Sequence, residues 1–386
     1  MLVVARLLIA TAAASAVSLA LAGLSPASAV PQKSLIRSTK VGDCLRAVPT
    51  RLPAFSASGA WAKGGGELML LDNMGRTVLR YTPEGDSIGE VLPSNPAYLK
   101  RSFPTKMSAH KDGFILQVHG NQLDVLDRTF RRQRIVMATA ASSSEAPLVD
   151  KVFMWTVLTG EKGEEVVAFA DVKLGERSWW TGFVRFPLGN PAAVELIQTV
   201  DHEERTFYRI TYPYIAKVGK TAYILRMDNQ MGLYRVEAGE NGRSQLKPLR
   251  SFEEIYRFPS LSPQLPIFRQ PEDFAVVMRR VEHSSMPAGL YAWNGFLYVL
   301  SRQPRQGSTQ WSLSKINPAS DEYMGTATLS SVQANHVSLV PGPHKWAAIE
   351  KGPVKGLTAQ EVKSLFLIPA ATNERAPLRG DLCRQP

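Results

Sequence analysis

The chain has 386 residues, a formal net charge of +11 and two cysteines, with 44% hydrophobic and 20% charged residues. That length exceeds one ordinary compact domain, although closed β architectures often run long as single units. The basic balance suits anionic partners, but with no run of five or six like charges it reads first as a generally basic, solvated surface. Two distant cysteines without nearby histidines argue against a cysteine-based metal centre.

Residues 1–29 read as a secretory signal peptide. One positive charge, Arg6, precedes an Ala/Leu-rich apolar core over 7–22, and Ala27-Ser28-Ala29 forms a small-residue cleavage pattern before Val30-Pro31. An uncleaved membrane anchor is the alternative, but the apolar run is short for a span of about 20 residues. No cysteine at the cleavage site offers a lipid anchor. No later stretch approaches about 18 unbroken apolar residues, so no further span is expected. Export makes the chain secreted or periplasmic and makes nucleic acid an unsuitable partner. The folded part is then 30–386, expected as one domain closed by both termini.

The clearest local pattern is 67–91. An apolar run at 68–71 is followed by Asp72-Asn73-Met74-Gly75, where Gly75 can supply a positive φ. A β-branched and aromatic run at 77–81, the turn Pro83-Glu84-Gly85-Asp86 and a last strand at 88–91 complete the unit. Similar units follow. The second has strands at 114–119 and 122–126 around Gly120-Asn121, a hairpin signal, with an outer strand at 131–138. The third spans 152–158, 166–172 and 181–187, and the fourth 214–218, 221–226 and 232–236. The fifth has 290–293, Asn294-Gly295, 296–302 and 310–316, and the sixth 337–340, 346–350 and 364–368. A terminal strand is expected within 35–41. Between the fourth and fifth units, Phe274, Val277, Met278 and Val281 fall at helical spacing after Pro271, which predicts one inserted helix over 272–283.

Short strands with Gly/Asn/Pro turns, recurring at this spacing, predict an all-β fold: a β-propeller of four-stranded blades. A ring protects edges that a flat array would expose. Six blades fit best; seven is the alternative, since the helix-bearing gap could hold one more. Propellers commonly complete one blade with strands from both termini, and Cys44 and Cys383 flank that material. In an oxidising compartment the two are expected to pair; two free thiols or an intermolecular bridge are the alternatives.

Within 68–91, the apolar strand ending in Asp72, Arg76 and Val78 before Tyr81, and Pro83-Glu84-Gly85 together resemble an NHL-type propeller repeat. Met227-Asp228-Asn229 and Ile316-Asn317-Pro318 echo it faintly. The chain thus resembles the broad group of six-bladed propellers that includes NHL and YWTD-like proteins. That group hosts enzymes, ligand-binding modules and scaffolds, so the resemblance implies a fold and no single activity. Its secreted lyases and lactonases hold a channel metal with His, carboxylate or amide side chains. A Ca²⁺ or Zn²⁺ ion in the central channel is therefore the enzymatic alternative here.

The residues give that alternative little local support. His110, His119, His202, His283, His336 and His344 are isolated, and no nucleophile elbow, phosphate loop or dinucleotide fingerprint is present. Asp72, Asp171 and Asp228 each close an apolar strand, where a carboxylate serves the following turn at least as readily as a ligand. Asp201, His202, Glu203 and Glu204 read as a solvated loop. Trp61, Trp179, Trp180, Tyr212, Tyr214, Trp293, Trp311 and Trp346 lie near loop–strand boundaries, where most should pack between blades. Tyr212, Tyr214 and Trp293, placed at the starts of inner strands, are the expected ligand contacts at a channel mouth. Arg279 and Arg280 form one of the two dense basic spots. The leading expectation is a monomeric, non-enzymatic binding module without a cofactor, taking a protein or an anionic glycan. A channel-metal lyase or hydrolase and a structural envelope component are the alternatives.

Overall fold

The computed structural model describes residues 37–383, apart from 42–43, 49–57, 74–75, 92–103, 119–121, 138–147, 161–162, 175–177, 191–192, 201–211, 229, 256–275, 277–282, 307, 333, 354–359 and 370–375. Its strands form six antiparallel sheets. Blade 1 is β3 (Gly59–Trp61), β4 (Leu68–Asp72), β5 (Thr77–Tyr81) and β6 (Ser87–Val91). Blade 2 is β7 (Pro104–His110), β8 (Gly113–Val118), β9 (Gln122–Leu126) and β10 (Arg132–Met137). Blade 3 has longer strands: β11 (Leu148–Gly160), β12 (Gly163–Leu174) and β13 (Ser178–Pro187), with β14 (Glu195–Val200) outside them. Blade 4 is β15 (Tyr214–Val218), β16 (Thr221–Arg226), β17 (Gly232–Ala238) and β18 (Ser244–Pro248). Blade 5 is β19 (Met286–Trp293), β20 (Phe296–Arg305), β21 (Ser308–Asn317) and β22 (Glu322–Thr328).

The sixth sheet closes the ring from both ends of the chain. It runs β23 (His336–Val340), β24 (Lys345–Pro353), β25 (Gln360–Pro369), then β2 (Cys44–Val48) and β1 (Arg37–Val41) from the N-terminal side. The fold is a six-bladed β-propeller.

First strands of successive blades line the axis: β3 touches β7, β11 touches β15, β15 touches β19, β19 touches β23, and β23 touches β3. The remaining step is bridged by Lys106 of β7, whose Nζ donates to the Trp155 carbonyl of β11 at 2.6 Å. Blades are related by rotation about this axis, so their inner strands run the same way. Residues that begin inner strands therefore share one mouth of the channel, and residues that end them share the other.

Burial explains the strand pattern. Middle strands are covered on both faces by neighbouring blades, and β4 is buried at all five positions. The apolar clusters lie between blades, joining 1 to 2, 2 to 3, 3 to 4 and 5, 5 to 6, and 6 back to 1. Trp61, Trp311 and Trp346 belong to these layers: the Trp61 indole donates to the Val340 carbonyl at 3.0 Å, binding blade 1 to blade 6. A short helix, α1 (Ser251–Ile255), follows β18. Asp321, in the β21–β22 turn, caps it by accepting from the Arg250 and Ser251 amides at 2.9 and 3.1 Å.

Two expectations fall wholly or mostly outside the described residues, and a third is sharpened. The helix over 272–283 lies outside the described residues except for Val276, which is helical, and His283, which lies in a turn. In the first blade's turn, Gly75 is not described, and Arg76 takes the left-handed conformation at φ 54°. Cys44 and Cys383 do pair, but Cys383 is not in the shared blade. It ends a C-terminal strap that runs parallel to β22, with Leu378 opposite Gly325 and Asp381 opposite Thr328. The strap is held by Leu378 N–H to Met324 O (2.7 Å) and Thr328 N–H to Gly380 O (2.8 Å). The disulfide thus ties the edge of blade 5 to β2 of blade 6.

Candidate functional site

At the strand-start mouth, register brings four groups together. β15 opens with Tyr214, while Met286 of β19 pairs with Arg302 of β20 and His336 of β23 pairs with Lys351 of β24. Arg302 is buried and donates to the Met286 sulfur at 3.4 Å. It lies close enough to Tyr214 and His336 to act on the titration of both. Tyr214, His336 and Lys351 are surrounded by protein yet remain partly accessible, as the lining of a narrow channel should be. The Lys351 ammonium donates to Ser338 Oγ at 2.9 Å. Among the described residues, neither the Tyr214 hydroxyl nor the His336 ring has a hydrogen-bond partner.

Cations dominate the electrostatics around Tyr214, His336 and Lys351, while the Asp171 carboxylate lies by Tyr212 at the rim. Burial lowers Lys351 to about 8 and Lys106 to about 8, and no carboxylate among the described residues offsets either shift. Burial, then the charges of Arg302 and Lys351, push His336 down to about 4. Burial raises Tyr214 to about 12, opposed by Arg302. At neutral pH the mouth therefore offers cations at Lys351 and Arg302, a phenol donor at Tyr214 and a neutral imidazole. Two residues before Tyr214's hydroxyl-bearing position on the strand, Tyr212 is 39% exposed and stacks on Phe153 with centroids 5.1 Å apart.

This arrangement has a pH signature. Anion affinity should hold up to about pH 8 and fall above it, as Lys351 and Lys106 lose their protons. Folding stability should move oppositely. Between about 8 and the ordinary lysine value of 10.5 the unfolded chain binds more protons than the folded one, so these lysines add stability as pH rises. Calorimetric titration and urea midpoints at pH 7, 8, 9 and 10 measure both trends.

Of the residues expected at a mouth, the structure places Tyr212 and Tyr214 there. Trp293 is corrected: the inner strand starts earlier, at Met286, because residues 286–289 are already paired with β20, so Trp293 ends β19 at the opposite mouth. Arg279, Arg280 and the 201–204 acidic cluster lie outside the described residues. Asp171 accepts from Thr181 Oγ1 across the sheet, and Asp228 is fully buried against Arg226. Lys106, Arg302 and Lys351 carry the site but escaped the sequence reading. Lys106 sits in a strand whose mixed residues gave no strand signal, whereas Arg302 and Lys351 end apolar strands and reach the mouth only through cross-strand register. Among the described residues no three His, Cys, Asp or Glu side chains could hold a metal ion, and no helix is long and apolar enough to cross a membrane.

The strand-end mouth carries a cleft of about 550 Å³ between blades 2 and 3. There Glu164 lies 3.0 Å from His110 Nε2, 2.9 Å from Lys111 Nζ and 3.6 Å from Arg134. Burial holds His110 below its ordinary value despite Glu164. Each cation of this cleft faces a carboxylate: Lys111 and Arg134 share Glu164, and Arg128 pairs with Asp112 at 2.9 Å. Lys351 and Lys106 face none among the described residues, so the strand-start mouth is the better candidate.

No family model and no curated protein matches this chain in sequence. Solved structures match in shape. A member of the DUF4221 family from Bacteroides vulgatus is 10% identical, covers 88% of this chain and 100% of its own, and superposes with a TM-score of 0.52. A gluconolactonase from Xanthomonas campestris is 11% identical over 86% of this chain and 94% of its own, with a TM-score of 0.48. The WD40 repeats of RRP9 are 9% identical over 86% and 99%, with a TM-score of 0.44. At such identities the likeness is one of fold.

Proposed function

We propose that this chain is an exported, non-enzymatic propeller that binds an anionic partner, a protein or a glycan, at the strand-start mouth of its channel. The observation that carries the reading is the pair Lys351 and Lys106: deeply enclosed ammoniums with neutral hydrogen-bond acceptors and no facing carboxylate among the described residues. A desolvated cation is costly unless something neutralises it, and a bound anion supplies that charge. The signal-like segment 1–29, the net charge of +11 and the single disulfide agree with an extracellular or periplasmic setting.

The test is calorimetric titration with polyuronate, polyphosphate and an acidic peptide at low salt. Lys351→Met should weaken the best of these by about 10- to 100-fold, the range for losing one charged hydrogen bond. Affinity should also fall with salt. No measurable binding of any polyanion by the native chain would sink the proposal.

A further inference from the structure

We infer that the ligand of this mouth is an acidic saccharide, held by an aromatic platform at Tyr212 and an anion pocket at Tyr214, His336 and Lys351. The inference rests on the anion-binding reading above and adds the ligand's class. Tyr212 and Tyr214 flank Pro213, which is buried while both tyrosines retain accessible surface. Proline disfavours helical geometry in the residue before it, so the two tyrosines lie about 7 Å apart along extended chain. Tyr212 sits against blade 3, beside Phe153 and Asp171, and Tyr214 lies toward Arg302 and Tyr291 of blade 5, so the two rings line neighbouring parts of the mouth.

At the rim, Tyr212 stacks on Phe153 with an interplanar angle of 19°, and Lys151 Nζ sits 5.0 Å from the Phe153 centroid. Tyr212 is backed on one face and 39% exposed overall. A flat apolar ring supported from behind suits the C–H face of a pyranose. Deeper in, the hydrogen-bond inventory is rich in donors. Tyr214 brings a protonated hydroxyl, His336 a neutral ring with one donor and one acceptor, and Lys351 two N–H groups beyond its bond to Ser338. Such a set matches a carboxylate together with neighbouring hydroxyls, the substituents of a uronate ring. A polyphosphate would use the cations but leave the aromatic platform idle. A protein partner would be expected to engage the surface more widely than this line of groups.

Four proteins separate the cases: native, Tyr212→Ala, Lys351→Met and Tyr214→Phe, each checked for a native circular dichroism spectrum and titrated with oligogalacturonate, its methyl ester and polyphosphate. Oligogalacturonate is expected to bind native protein. Tyr212→Ala should weaken it about tenfold, one stacked ring's worth, and leave polyphosphate unchanged. Lys351→Met should weaken both anions. Tyr214→Phe, which removes only the hydroxyl, should weaken the uronate, and the methyl ester should bind poorly throughout. If polyphosphate or an acidic peptide binds while oligogalacturonate does not, the saccharide inference is overturned and the anion reading stands. Equal loss of both anions on Tyr212→Ala, or an ester that binds as well as the acid, overturns it too. Failure of every anion removes both.

Discussion

Asp228→Ala is expected to destabilise the ring by about 3–5 kcal/mol, because it strips the partner from a charge with no route to water. Arg226 and Asp228 are both 0% exposed. The guanidinium Nη2 donates to Asp228 Oδ2 at 2.6 Å, Nε lies 3.1 and 3.2 Å from the two carboxylate oxygens, and Nη1 donates to Gln230 Oε1 at 2.7 Å. Asp228 also accepts from the Gln230 amide at 3.0 Å, which fixes the turn between β16 and β17. The cation lies 5.8 Å from the Phe183 ring of blade 3 and 5.9 Å from Tyr234. One ion pair therefore serves a turn and an interface between two blades. Asp228→Asn keeps shape and one acceptor, so it should cost less than the alanine change. Chemical denaturation of the two variants measures the difference; an alanine variant as stable as native would mean that water reaches Arg226.

Removing the disulfide is the second large effect. Cys44 and Cys383 are separated by 339 residues and are almost fully buried. On the chain-entropy model, closing so long a loop contributes roughly 4–5 kcal/mol by restricting the unfolded chain, and native disulfides commonly deliver 2–5. Cys44→Ser with Cys383→Ser should therefore lower the melting temperature by about 5–10 °C. Reduction of the native protein should approach the same value. Limited proteolysis should then cut first within 376–383, since without the covalent tie the strap would rest on its bonds to β22, the Ser330–Asp381 hydrogen bond, the packing of Leu378 and the contact of Lys315 Nζ with the Ala376 carbonyl at 3.2 Å. A reduced protein that melts with the oxidised one would show that packing alone holds the strap.

Much of the ring was legible in the sequence because middle strands are buried on both faces. The apolar runs at β4, β8, β12, β16 and β20 announce themselves. Turns were legible where one residue type is required, as at Asn294-Gly295, both with positive φ (47° and 83°). Two outer strands, 88–91 and 131–138, were legible as well, but three were not. Glu195–Val200, Ser244–Pro248 and Glu322–Thr328 are half-solvated edges with mixed residues, and only neighbouring strands make them strands. The inner strand Pro104–His110 was missed for the opposite reason: its polar residues Lys106 and Ser108 face the axis rather than a solvated exterior. The same logic hid the site. Tyr212 and Tyr214 could be proposed as aromatics beside a strand start, but Arg302 and Lys351 join them only through cross-strand register with Met286 and His336.

The strap has a consequence for the order of events in biogenesis. Cys383 follows every strand of every blade along the chain, while its partner Cys44 is made before the first of the six is complete. The covalent closure is thus unavailable until the last blade has been synthesised and the tail has found β22. During that interval Cys44 waits as a thiol within an unfinished sheet, open to mispairing with any other thiol. Oxidation then works as a check on completeness: a chain interrupted before Cys383 can assemble blades but has no means of locking them.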